Sequence, residues 1–245
     1  PEVKLLTGPN LPKYESYPPD WLENFWIEMP DIGRFCGALS LLDFGNKNKF
    51  IDPTFVWGLN FIIRKEIFIK LKGFHPDTVP EKIQFLQGDG ETGLSIKAKE
   101  KGYKAYYDSE LMLYHFVPDS RMTFDYFEKR YYFQGVADSF TQLRRLNGLY
   151  EKNDSIENAI PLLRRIKSSL KKFYFSRKKD KINNSPDKTN NIFERCQEKY
   201  KEGFDFHQSY FQRNSVVHDW VLRPDYLDYK LPKTNELIIN KKKEV

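Results

Sequence analysis

Cysteine is nearly absent from this 245-residue chain, which has two, Cys36 and Cys196. Placed so far apart, they form neither a disulfide framework nor a cysteine-rich zinc site, and they point to a reducing, cytoplasmic setting. Histidine is scarce as well. Of the four, His75, His207 and His218 have no partner at metal-ligand spacing. Long apolar runs are also missing: the longest, Phe55 to Ile63, has nine residues and is interrupted by Gly58 and Asn60. A spanning helix needs about 20, so no segment is a candidate. The chain opens Pro1-Glu2-Val3 without an initiator methionine, and is expected to be processed or a piece of a longer reading frame.

What the chain has in quantity is aromatic residues, 20 Phe, 15 Tyr and 4 Trp, enough with 40% hydrophobic residues to bury a substantial core. The net charge of +6 is local. Nine basic residues against Asp180 fall between Ile160 and Lys181, leaving 31 basic and 33 acidic residues elsewhere. A body so close to neutral is not built to follow a nucleic-acid backbone, and nucleic acid is not an expected partner. The basic segment has an apolar stripe, Ile160, Leu163, Ile166, Leu170 and Phe173. Such a helix either packs its stripe in a bundle or lies on an anionic membrane surface. The second choice would make the protein peripheral at the inner face of the membrane.

The pattern along the chain predicts an α/β fold. Strands are expected at Val3 to Thr7, Cys36 to Phe44, Leu59 to Ile63, Lys104 to Tyr107 and Leu111 to His115. The prolines from Pro9 to Pro19 read as loop, ending where Asp20 caps a short helix. Helices are expected at Arg64 to Lys72, stopped by Gly73, and at Glu91 to Lys101, stopped by Gly102. From Thr123 the apolar spacing becomes helical through Phe124, Phe127, Tyr131, Phe140 and Leu143, predicting one long helix or a broken pair. Residues 1–148 thus read as an α/β unit and 149–245 as a helical extension. The extension holds the basic helix, a mobile linker near 177–191, and a helix from Ile192 to Gln212.

The chemistry-bearing residues fall in one ordered series: Trp57-Gly58-Leu59-Asn60, Gly73-Phe74, Gly88-Asp89-Gly90-Glu91, Lys101-Gly102-Tyr103-Lys104 and Tyr114-His115, followed by Val117-Pro118 and Arg121. Gly58 permits close approach of backbone or ligand, and Asn60 offers a donor and an acceptor. Asp89 and Glu91 place two carboxylates at a helix start, where one could take a proton from a hydroxyl, or where both could serve only as cap and dipole partner. His115 ends a strand.

In this order the series resembles the acceptor side of family 2 glycosyltransferases of the GT-A fold, over about Val3 to Ser139. The resemblance implies part of a Rossmann-like mixed sheet with flanking helices. It also implies sugar transfer with inversion from a nucleotide-sugar donor to a saccharide or lipid-linked acceptor. The base would be Asp89 or Glu91: counting back from Gly102 favours Glu91, and counting forward from Gly88 favours Asp89. Trp57, Gly58, Leu59, Asn60 and Arg121 would bind substrate. His115 would contact a divalent metal, Mg or Mn. The family's amino-terminal half, with its nucleotide pocket and Asp-x-Asp motif, has no counterpart in the first 60 residues, so the isolated chain is expected to bind donor poorly. The contrasting expectation is a non-catalytic relative of such enzymes that docks on a membrane through the basic helix.

Overall fold

The computed structural model describes residues 2–150 and 188–232. The expected basic helix and most of the expected linker lie outside the described residues. The protein is α/β, with two mixed sheets and a carboxy-terminal helical region.

Among the described residues nine strands build the sheets: β1 (Leu5–Thr7), β2 (Asn10–Tyr14), β3 (Ile27–Met29), β4 (Gly33–Cys36), β5 (Leu41–Asp43), β6 (Lys49–Ile51), β7 (Ile62–Ile63), β8 (Ala105–Tyr107) and β9 (Leu113–Val117). The four-stranded sheet has the order β6-β8-β1-β7, and the five-stranded sheet the order β3-β4-β5-β2-β9. β1 runs parallel to β8, and β2 parallel to β9. The chain therefore passes from the four-stranded to the five-stranded sheet twice, side by side, at β1–β2 and at β8–β9. The passage is stitched by the Asp108 amide donating to the Thr7 carbonyl and the Leu113 amide to the Pro9 carbonyl, 2.9 and 3.0 Å.

Among the described residues five α-helices follow the sheets in sequence or interrupt them: α1 (Lys65–Lys70), α2 (Glu91–Glu100), α3 (Phe124–Leu146), α4 (Lys188–Arg213) and α5 (Ser215–Val221). α1 and α2 cover the four-stranded sheet through Ile67, Leu71, Leu94 and Ala98, which pack on Leu5, Val56 and Ala105. Phe35, Leu42, Phe44, Phe55 and Tyr107 form a second buried cluster. The five-stranded sheet packs against α3 and α4, where Leu22, Phe25, Cys36, Leu41 and Val117 meet Phe127, Ile192 and Cys196. Both cysteines are free and buried there. The carboxy-terminal end docks on the far part of α3 through Phe140, Leu143, Val217, Trp220 and Tyr226.

Four elements differ from their expected form. β2 runs through Pro12, in the stretch expected to be loop. Beyond Asn10 its only partner among the described residues is β9, so a missing amide on the other side breaks no ladder bond there. The expected strand at Cys36 to Phe44 is instead a hairpin, β4 and β5, turned by a 3-10 segment at Gly37–Leu39 and by Ser40 in the left-handed region at φ 56°. A 3-10 turn, Gly58–Asn60, occupies the start of the expected strand at Leu59. α4 begins at Lys188, inside the expected linker and four residues before Ile192. α3 is one unbroken helix, capped by Thr123 Oγ1 accepting from the Tyr126 amide at 3.3 Å. Among the described residues no helix is long and apolar enough to cross a membrane.

Candidate functional site

The loop before α2 separates the two candidate carboxylates. Asp89 precedes the helix and turns inward, its side chain 1% exposed. Its Oδ1 lies 2.5 Å from His75 Nδ1, and its Oδ2 accepts from Thr141 Oγ1 at 2.5 Å and from the Tyr150 hydroxyl at 3.1 Å. Burial alone would raise this carboxyl, but His75 and the hydrogen bonds outweigh it and hold the group below its ordinary value. Burial likewise pulls the His75 imidazole below its ordinary value, against the opposing effect of Asp89. The pair is a carboxylate facing a neutral imidazole that donates from Nδ1. Gly93 makes room for it, since a Cβ there would overlap both His75 and Asp89. Every contact of Asp89 is internal, the arrangement of a group that holds the α2 entrance in place.

Glu91 is the first residue of α2 and faces the other way. Its Oε1 accepts from the Gly58 amide at 3.0 Å. It lines a cleft of about 160 Å³ whose walls are Phe35, Phe55 and Trp57 and whose polar lining includes Thr92, Arg130, Gln134, Asp138 and Thr141. Trp57 is fixed there by its indole N–H, which donates to the Thr54 carbonyl at 3.0 Å, and by edge contact with Phe35 at 5.6 Å between ring centres.

The remaining expected site residues divide between scaffold and a separate pair. Asn60 is buried and donates from Nδ2 to the Leu111 carbonyl at 2.8 Å, tying the turn at Gly58 to the crossing between β8 and β9. Leu59 projects to solvent. Arg121 Nη1 donates to His115 Nε2 at 3.2 Å, and neither residue lines the cleft. Burial, helped by the Arg121 charge, lowers the His115 imidazole, so its Nε2 lone pair faces the guanidinium.

That geometry does not fit a metal ligand as expected for His115. The ring nitrogen in question is already an acceptor for a cation, and no group of three or more His, Cys, Asp or Glu side chains gathers as a metal site among the described residues. The pair is instead a positioned cation at the end of β9.

Most of the cleft lining was not anticipated from the sequence, and three of its polar residues stand out. Arg130, Gln134 and Asp138 lie four apart on α3 and so share one face, a polar stripe on a helix otherwise dominated by aromatic residues. That spacing is the sequence signal that could have found them. Asp138 is 8% exposed and accepts from Gln134 Nε2 at 2.8 Å and from the Tyr200 hydroxyl of α4 at 2.9 Å. Burial, with the Asp89 charge adding to it, raises its carboxyl to about 6 despite those hydrogen bonds. The cleft therefore joins one partly exposed carboxylate to one whose protonation changes near neutral pH.

No protein-family model matches the chain, and no curated protein or solved structure matches it.

Proposed function

We propose that this protein is a glycosyltransferase that moves a sugar from a nucleotide-sugar donor to an acceptor hydroxyl with inversion, and that Glu91 is its general base. The reading rests on the ordered motif series. The observation that carries it is the position of Glu91 at the wall of an aromatic-lined cleft, held by the Gly58 amide through one oxygen. Its other oxygen has no hydrogen-bond partner among the described residues. In the proposed step Glu91 takes the proton of the acceptor hydroxyl, and the oxygen so freed bonds to the anomeric carbon. The bond from that carbon to the diphosphate breaks, and its electron pair leaves with the nucleoside diphosphate. Trp57 offers a flat apolar face to a sugar ring. Arg121, oriented by His115, is the candidate contact for the leaving diphosphate, as a fixed guanidinium suits two phosphate oxygens. No part of this sequence of events is assigned to a metal.

The test is sugar transfer by the protein in its longest natural reading frame, with Glu91→Gln and Asp89→Asn made separately. Loss of general-base catalysis lowers the rate by about 10²–10⁴. Glu91→Gln is expected to show that loss with the fold intact. Full transfer by Glu91→Gln would overturn the assignment of the base.

A further inference from the structure

We infer that Asp138 selects the acceptor, accepting hydrogen bonds from the hydroxyls of a saccharide that lies along α3 beside Glu91, so that the helical region completes the site. The inference rests on the glycosyltransferase reading and names the ligand class of the same cleft.

The carboxylate is placed by both helices. Gln134, one turn earlier on α3, donates to Oδ1, and Tyr200 of α4 donates to Oδ2. Each donor occupies one lone pair, which leaves each oxygen able to accept once more from the cleft. Glu91 is likewise an acceptor when ionised. A ligand that satisfies both must bring several donors of its own. Arg130 in the same lining works against a polycation, and the Trp57 and Phe35 rings favour the C–H faces of a sugar over an extended polar chain. A saccharide meets all three conditions.

The cleft also has length. Arg130 and Gln134 line a second recess that continues over Gly37 and Ala38 towards Phe25 and Ile27. Eight residues of helix separate Arg130 from Asp138, about 12 Å of rise along which the polar lining extends. Tyr200 reaches Asp138 because α3 and α4 cross closely. A Cβ at Gly135 would overlap the Tyr200 carbonyl, and one at Gly203 the Tyr132 carbonyl.

A purely structural role does not account for the carboxylate. No ion pair reaches Asp138 among the described residues, and an uncompensated buried charge works against folding. The charged and titratable groups around it are Glu91 and Arg130 in the cleft, Tyr200 on α4 and Asp89 behind it. These do not neutralise it.

The experiment measures binding of the full chain to an array of neutral mono- and disaccharides from pH 5 to 8, for the wild type, Asp138→Asn, Tyr200→Phe and Glu91→Gln. The wild type is expected to bind a subset of the array, less well as Asp138 takes up its proton near pH 6. Asp138→Asn should weaken that binding about tenfold and remove the pH dependence, and Tyr200→Phe should weaken it less. Glu91→Gln should weaken binding as well, since Glu91 is the second acceptor in the cleft, while keeping the pH dependence that Asp138 sets. Unchanged affinity and pH profile in both Asp138→Asn and Tyr200→Phe would overturn the inference, and so would a wild type that binds no saccharide on the array. Neither result touches Glu91, whose role is decided separately by transfer in Glu91→Gln.

Discussion

His75 Nδ1 stands 2.5 Å from Asp89 Oδ1 with both side chains out of water, and the pair fixes the loop from which α2 starts. The backbone repeats the connection, since the His75 amide donates to the Gly90 carbonyl at 3.1 Å. The Phe140 and Tyr226 rings enclose the imidazole, at 5.4 and 5.3 Å between ring centres. Glu91 lies two residues past Asp89. The position of the cleft carboxylate is thus set by a buried carboxylate two residues before it in sequence and opposite to it in direction.

Asp89→Asn and His75→Ala should therefore act on stability first. Removing one partner of a buried hydrogen bond to a charged group destabilises by about 1–3 kcal/mol, while Glu91→Gln, at the cleft wall, should leave urea unfolding nearly unchanged. The pH dependence follows from the two directions. Asp89 has a folded value below its unfolded one, so its contribution is present above about pH 4 and is lost on further acidification. His75 is also lowered, so the unfolded chain takes up its proton first, and stability falls as pH drops below about 6.5. Equal unfolding midpoints for Asp89→Asn and the wild type at pH 7 would contradict this role.

Asp138 has the opposite linkage. Its folded carboxyl is near 6 against an ordinary 3.8, so the folded state keeps this proton longer, and stability declines as pH rises from about 4 through about 6. At pH 7 the difference corresponds to about 3 kcal/mol of destabilisation. Asp138→Asn should therefore raise the unfolding free energy at pH 7 by about 1–3 kcal/mol, part of the gain being offset by altered bonds to Gln134 and Tyr200. The gain should vanish at pH 4. Urea titrations at both pH values check this, and a variant less stable than the wild type at pH 7 would show the carboxylate to be structurally favourable.

The parts of the molecule that local chemistry determines were legible in the sequence. Gly73 and Gly102 follow α1 and α2 where a stop was expected, and the apolar spacing from Phe124 to Leu143 marks α3. What could not be read depends on partners distant in sequence. Pro12 looks like a strand breaker until β9 is known to be β2's only neighbour there among the described residues. Ser40 carries no turn signal of the Gly or Asn kind, yet it takes the left-handed conformation that folds β4 back on β5. The choice between Asp89 and Glu91 depends on His75, Thr141 and Tyr150, which lie 14, 52 and 61 residues from Asp89. Asp138 was hidden in a helix read only for its aromatic side, and its partner Tyr200 belongs to α4.

The crossing of α3 and α4 offers a test of how the helical region supports the cleft. In a solvent-exposed helix interior, replacing Gly by Ala stabilises by about 1 kcal/mol. At Gly135 the new methyl group would meet the Tyr200 carbonyl, and at Gly203 the Tyr132 carbonyl, so the backbones must separate. Overpacking of this kind costs about 1–3 kcal/mol. Gly135→Ala and Gly203→Ala should each lower the unfolding free energy, and the double variant should lose less than the two effects combined, because the first substitution already opens the shared crossing. The same displacement draws Tyr200 away from Asp138, so Gly135→Ala should weaken saccharide binding in parallel with Tyr200→Phe. A Gly135→Ala protein as stable as the wild type would mean that α3 and α4 do not cross at this point, and the link from α4 to the cleft would fall with it.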